Sequence, residues 1–136
     1  MLNTLIVICH FLMAMKCEYD YKIPASVQLA QSMLESGYGN SYIGKNSYNC
    51  FGIKAYSNWH GKTFTARDNS IYRKYDSYYD SYVDHAKFMQ HHYKGAVGKN
   101  WRYWVANCKG YGGSNQYWKM IEQYIIKYKL DKFDLL

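Results

Sequence analysis

Proline occurs once in this 136-residue chain, at Pro24, and no stretch is rich in Gly, Ser or charge of one sign. Interdomain linkers and disordered tails depend on such composition, so the chain reads as one domain over residues 1–136. Internal repeats and low-complexity tracts are missing as well. No CxxC pair, HExxH helix or GxSxG elbow occurs, which leaves no zinc module, zincin site or hydrolase nucleophile elbow to build on. The reading is therefore metal: none, cofactors: none. Gly112-Gly113 lacks the surroundings of a phosphate loop. Acidic residues are few, 10 against 17 Lys and Arg, for a formal net charge of +7. That excess points to an anionic partner such as cell-wall polymer, nucleic acid or a membrane surface, without choosing among them. The longest apolar run, Leu5 to Met15, falls short of the about 20 residues needed to span a bilayer.

Aromatic residues are what the chain has in excess. Seventeen Tyr, five Phe and four Trp make up 19% of the sequence, more ring surface than a small core requires. Flat rings with polar edges suit sugars or nucleobases. The four cysteines, Cys9, Cys17, Cys50 and Cys108, are scattered and read as buried thiols rather than a disulfide framework. The run Leu5–Met15 has two readings. It is a first helix, covering about residues 1–17, that packs over the rest, or it is a signal peptide. The second lacks a basic leading segment and a small-x-small cleavage site at Ala14-Met15-Lys16.

Farther along, Pro24 opens a helix carrying Val27, Ala30 and Leu34 at helical spacing, and Gly37 and Gly39 stop it. A loop through Asn46–Asn49 leads to the apolar Cys50–Ala55. Gly61–Ala66 and Ile71–Tyr75 alternate around a turn-like Arg67-Asp68-Asn69-Ser70, which predicts a small hairpin. Asp76-Ser77 caps a helix with Tyr82, Ala86, Met89 and Tyr93 on one face. A short helix over Trp101–Cys108, a loop at Gly110-Tyr111-Gly112-Gly113 and a last amphipathic helix bearing Trp118, Ile121, Ile125 and Tyr128 complete the chain. The fold class expected is α+β, mostly helical.

Glu35 stands out on physical grounds. It lies in the last turn of a well-formed helix, where unpaired carbonyls present negative charge, and apolar residues surround it. Both effects favour the protonated acid, the state a general acid on a glycosidic oxygen requires. The plain alternative is a solvent-facing glutamate at a helix end. His85, His91 and His92 stand close together, but their spacing does not bring three ligands to one metal.

The segment Ala25-Ser26-Val27-Gln28-Leu29-Ala30-Gln31-Ser32-Met33-Leu34-Glu35-Ser36-Gly37-Tyr38-Gly39, followed by Asn49-Cys50-Phe51-Gly52-Ile53-Lys54-Ala55, closely resembles the glycoside hydrolase family 73 domain. The likeness continues through Trp59-x-Gly61, Tyr72–Ser77, Ser81-x-x-Asp84-His85, Gly110-Tyr111 and Tyr128-x-Leu130, and covers nearly everything from Ile23 onward. That family comprises bacterial and phage endo-β-N-acetylglucosaminidases with a lysozyme-like helical fold. The resemblance implies hydrolysis of the β-1,4 bond between N-acetylglucosamine and N-acetylmuramic acid, with Glu35 in the position of the catalytic acid. Family members often carry an acidic residue on the hairpin after Trp-x-Gly, and Asp68 is the one acidic residue available there. Tyr111 matches a groove tyrosine near the reacting sugar. Asp84 matches an acidic position after the hairpin, with backbone or His85 bonding as its structural alternative. Phe51 and Trp59 are groove walls or core.

The resemblance implies peptidoglycan glycan strands as partner, with no nucleic acid, no stable membrane insertion and a monomeric enzyme, secreted or acting at the bacterial cell wall, a phage-encoded enzyme being one form the family takes. Three mechanisms stand open. Asp68 activates water if the two carboxylates lie about 6.5–9.5 Å apart, or acts as a nucleophile at about 5–5.5 Å. If Asp68 is remote, the acetamido oxygen of the substrate attacks. A lytic transglycosylase using the same glutamate is the rival enzyme, and a non-catalytic wall-glycan binder is the rival from another class.

Overall fold

The computed structural model describes residues 3–56, 58–111 and 116–136. Within them run α1 (Thr4–Tyr21), α2 (Ala25–Ser36), α3 (Tyr42–Ser47), β1 (Thr63–Thr65), β2 (Ile71–Arg73), α4 (Tyr78–His92), α5 (Trp101–Asn107) and α6 (Tyr117–Tyr128). Single 3-10 turns occupy Lys94–Ala96 and Leu130–Phe133. The chain is thus mostly helical with one two-stranded antiparallel sheet, the α+β class expected. Gly112 and Gly113, the second half of the expected loop, lie outside the described residues.

The centre of the fold is α2, on which Ala25 to Ser32 are all buried. It packs against α1, α6 and the Leu130–Phe133 turn, while α1 also packs on α4. A helix covered on nearly every side must satisfy its polar residues internally. Gln28 does so by donating to the carbonyls of Ala14 and Ile23. The apolar run Leu5–Met15 forms the first part of α1, which the Asn3 side chain caps and which extends six residues past Met15. His10, Ala14, Cys17 and Glu18 face inward. The opposite face leaves Leu5 and Leu12 66% and 61% exposed, so burial accounts for only one side of this run. All four cysteines are free thiols, and Cys9 alone is exposed. No helix among the described residues is long and apolar enough to cross a membrane.

The hairpin pairs Thr63 with Arg73, Phe64 with Tyr72 and Thr65 with Ile71, shorter than the alternating segments allowed. Lys54 adds an antiparallel bridge to Tyr72, and the Arg73 and Ala55 amides donate to Ile53 and Ile71 carbonyls. The Cys50–Ala55 segment therefore runs along the sheet edge rather than free. Ser77 caps α4 by accepting from the Asp80 amide at 3.1 Å. The six residues of α3 are too few for a periodic signal and were legible only as loop.

Candidate active site

The end of α2 and the Cys50–Ala55 segment meet through Ser36. Its Oγ donates to the Cys50 carbonyl at 2.6 Å and accepts from the Gly39 amide at 2.8 Å. Gly37 closes the helix at φ 55°, with its amide directed to Met33 and Ser32 carbonyls. A Cβ on Gly39 would meet the Tyr78 ring at 2.4 Å, so the second glycine is a packing requirement as well. Asn49 holds the next turn. Its Oδ1 accepts from the Phe51 and Ile53 amides, and its Nδ2 donates to the Ile53 and Arg73 carbonyls. Gly52 sits at φ 64°, where a Cβ would stand 3.4 Å from Glu35 Oε2. The two motifs that lie apart in sequence are one structure around the Glu35 carboxyl.

Glu35 lines a continuous groove. One section of about 620 Å³ has Phe51, Gly52 and Ile53 with Glu35 along it, with Lys54, Tyr72 and Arg73 contributed by the sheet edge and Phe88, His92 and Tyr111 from the α4 side. Two further sections, of about 280 and 380 Å³, continue past Ser36, Ser41 and Asn40 and share Glu35 with the first. All three sections therefore border the same carboxyl. Burial holds the Glu35 carboxyl above the usual carboxylate range, and the Tyr117 hydroxyl beside it opposes part of that rise. A half-buried carboxyl in this state keeps its proton to higher pH than a free glutamate, as proton donation demands.

The structure brings Glu35, Phe51 and Tyr111 together in the groove. Phe51 stacks on the fully buried His85, ring centroids 3.7 Å apart and nearly parallel. Burial pushes His85 down to about 3, which keeps its imidazole neutral. Trp59 and Asp84 do not line the groove; they brace its wall. Trp59 donates through Nε1 to the Lys62 carbonyl, and the Arg73 guanidinium lies 4.8 Å from its ring centroid. A Cβ on Gly61 would meet that indole at 2.4 Å, which accounts for the Trp-x-Gly spacing. Asp84 accepts from Arg73 Nη1 at 2.9 Å and from the Tyr75 hydroxyl at 2.6 Å. Asp68 is exposed on the turn between β1 and β2, where it accepts from the Ser70 amide at 3.0 Å. That bond holds its carboxyl below the usual range, and Asp68 is not among the groove-lining residues.

Among the site residues not singled out from the sequence, three stand nearest the chemistry or its wall. Arg73 is buried yet lines the groove. Tyr117 lies beside Tyr111, centroids 4.9 Å apart, and its hydroxyl adjoins the Glu35 carboxyl without closing to hydrogen-bond geometry. Gln31, one turn before Glu35 on α2, is fully buried with neither amide atom hydrogen-bonded. The helical spacing of Gln31 to Glu35 was the one signal available for it.

The family of mannosyl-glycoprotein endo-beta-N-acetylglucosaminidases matches residues 12–130. Exo-glucosaminidase LytG of Bacillus subtilis is 29% identical over 135 residues, covering 84% of this chain and 47% of LytG. Peptidoglycan hydrolase FlgJ of Pseudomonas aeruginosa is 32% identical over 93 residues, 57% of this chain and 23% of FlgJ. The chain thus spans less than half the length of either relative. The catalytic domain of the autolysin Auto from Listeria monocytogenes superimposes with a TM-score of 0.78 at 27% identity, covering 98% of this chain and 90% of that domain. A peptidoglycan hydrolase from Sphingomonas sp. A1 gives 0.73 at 30% identity, with 90% and 87% covered.

Proposed function

This chain belongs to the glucosaminidase family, and from that membership we propose that it hydrolyses peptidoglycan at the β-1,4 bond between N-acetylglucosamine and N-acetylmuramic acid, with Glu35 as general acid. The observation that carries this reading is the position of Glu35: a carboxyl whose hold on its proton burial strengthens, shared by three groove sections. Three open sections around one acid leave room for a strand cut within its length rather than trimmed at an end. The exposed ring of Tyr56 lies along it for stacking on pyranose rings. Relatives named as peptidoglycan hydrolases and an autolysin support the cell wall as the place of action, and a net charge of +7 favours that anionic surface.

Glu35 is the one carboxylate among the described residues that line the groove. The chemistry that fits a single carboxyl is substrate-assisted. Glu35 gives its proton to the glycosidic oxygen as the C1–O bond breaks, and the acetamido oxygen of the N-acetylglucosamine closes on C1. Water then opens that ring at C1, and its proton returns to Glu35.

Wall digestion by the wild type and by Glu35→Gln tests the proposal. The glutamine keeps size and hydrogen bonding and removes the proton, so turnover should drop by about 10²-fold to 10⁴-fold with folding and wall binding retained. Mass spectrometry of the wild-type digest should show reducing-end N-acetylglucosamine. A 1,6-anhydro-muramic product would establish a lytic transglycosylase instead, and near-normal clearance by the variant would remove Glu35 from the chemistry.

A further inference from the structure

Resting on the reading that this groove cleaves wall glycan, we infer that its sheet-edge side is a carboxylate-binding subsite, so that the carboxylate-bearing sugar lies next to Glu35 on the wall formed by Lys54 and Arg73. The groove is electrically lopsided. Lys54 and Arg73 line the large section, whereas among the described residues the two sections beyond Glu35 are lined by no other charged side chain and present Ser36, Ser41, Asn40 and Asn49, with Arg67 set back behind the Tyr42 ring. The two sugars that flank the scissile bond have the same asymmetry, since N-acetylglucosamine is neutral and muramic acid bears a lactyl carboxyl. Matching one to the other sets the register of the strand across Glu35, with the neutral sugar toward α3.

The two cations are held for this purpose by the fold. Lys54 bridges to Tyr72 on β2, and its carbonyl accepts from Arg73 Nε at 3.3 Å. Asp84 takes Arg73 Nη1, and the Trp59 ring lies against the guanidinium. Asp84 offsets part of the Arg73 charge. Lys54 is exposed and makes no ion pair among the described residues; the exposed Asp68 carboxylate feels its charge only as a weak, solvent-screened attraction, which leaves the ammonium able to meet a carboxylate from the substrate. That carboxylate belongs either to the lactyl ether of a peptide-free strand or to the stem peptide of an intact one.

The test compares four substrates on the full chain: intact wall glycan, peptide-free strands, and each of these with its carboxyls converted to amides. For wild type, amidation should raise KM roughly fivefold with little change in kcat, as for loss of a partly exposed ion pair. Lys54→Gln should raise KM roughly fivefold on the unmodified strands and under about twofold on the amidated ones, because the two changes remove one interaction. Lys127→Gln on α6, which alters net charge by the same amount away from the groove, separates this from general attraction to the wall. Whichever unmodified substrate shows the larger loss identifies the lactyl or the stem-peptide carboxylate. Equal losses for Lys54→Gln on unmodified and amidated strands, or no loss on either, overturn the subsite while leaving the hydrolase intact. A wild type that cleaves none of the four overturns the hydrolase reading and the subsite with it.

Discussion

At Glu35, two neighbours act in opposite directions on one proton. Burial raises the carboxyl, and the adjacent Tyr117 hydroxyl lowers it. Removing that hydroxyl in Tyr117→Phe leaves burial unopposed, so the Glu35 pKa should rise further. Activity that needs the protonated acid fades as pH climbs through that value. The alkaline limb of the pH–rate profile should therefore move to higher pH in the variant; a limb that stays or moves down would remove Tyr117 from the control of Glu35. Asp68 belongs to the same scale. Its side chain already serves the turn through Ser70, a role asparagine fulfils equally. Asp68→Asn should leave kcat within about twofold, since the turn bond is kept and the weak attraction to Lys54 that is lost bears on substrate binding rather than on the acid. A loss of about 10²-fold in kcat would instead give the hairpin carboxylate a share in catalysis.

Among the elements, α2 depends on a cap supplied from far along the chain. Pro24 stands at its N-cap and offers no side-chain bond. The Asp134 carboxylate takes over, accepting from the Ser26 amide at 2.7 Å and from its hydroxyl. A carboxylate is well placed at a helix N-terminus, yet burial raises Asp134 from 3.8 to about 6, against the opposing effect of the Ser26 bonds. Between those two values the folded protein holds a proton that the unfolded chain has released. Through this group, stability falls as pH rises from about 4 to about 6 and is level above that. Asp134→Asn abolishes that contribution, so Tm measured at intervals across the window should decline less steeply than in wild type, where Glu35 adds a slope of the same sign to both. Identical slopes would show that Asp134 does not titrate there.

Taken whole, the molecule closes its two ends over α2. Glu18 of α1, almost fully buried, accepts from the Leu135 and Leu136 amides at 2.9 Å, and α1 packs on both α2 and α4. A chain starting at Glu18 loses the buried His10, Ala14 and Cys17 and uncovers the apolar surface beneath them. Stripping that burial costs several kcal/mol on the order of a small domain's entire stability. Such a truncation should show no cooperative thermal transition. A normal melt would mean that the leading helix is dispensable, as a cleaved leader would be.

What the sequence determined by itself lies in its short-range order. The spacing of Val27, Ala30 and Leu34, the Gly37 stop and the Ser77 cap dictate helices and ends because each acts within one or two turns of backbone. Glu35 was legible for the same reason: its helix end and apolar neighbours are local. The family resemblance then joined Glu35 to the Phe51-Gly52-Ile53 turn, and the fold brings that turn within van der Waals reach of its carboxyl. Only the tertiary structure decided which side chains share the groove. Tyr117 reaches Glu35 from 82 positions away, and Asp84 anchors Arg73 from another element. Asp68, the sole acid on the hairpin, ends in solvent because a two-residue Asx bond ties it to the tip. Contacts at such separations leave no periodic trace in the chain. They are set by how helices and sheet edge pack, and the charge of the groove is set with them.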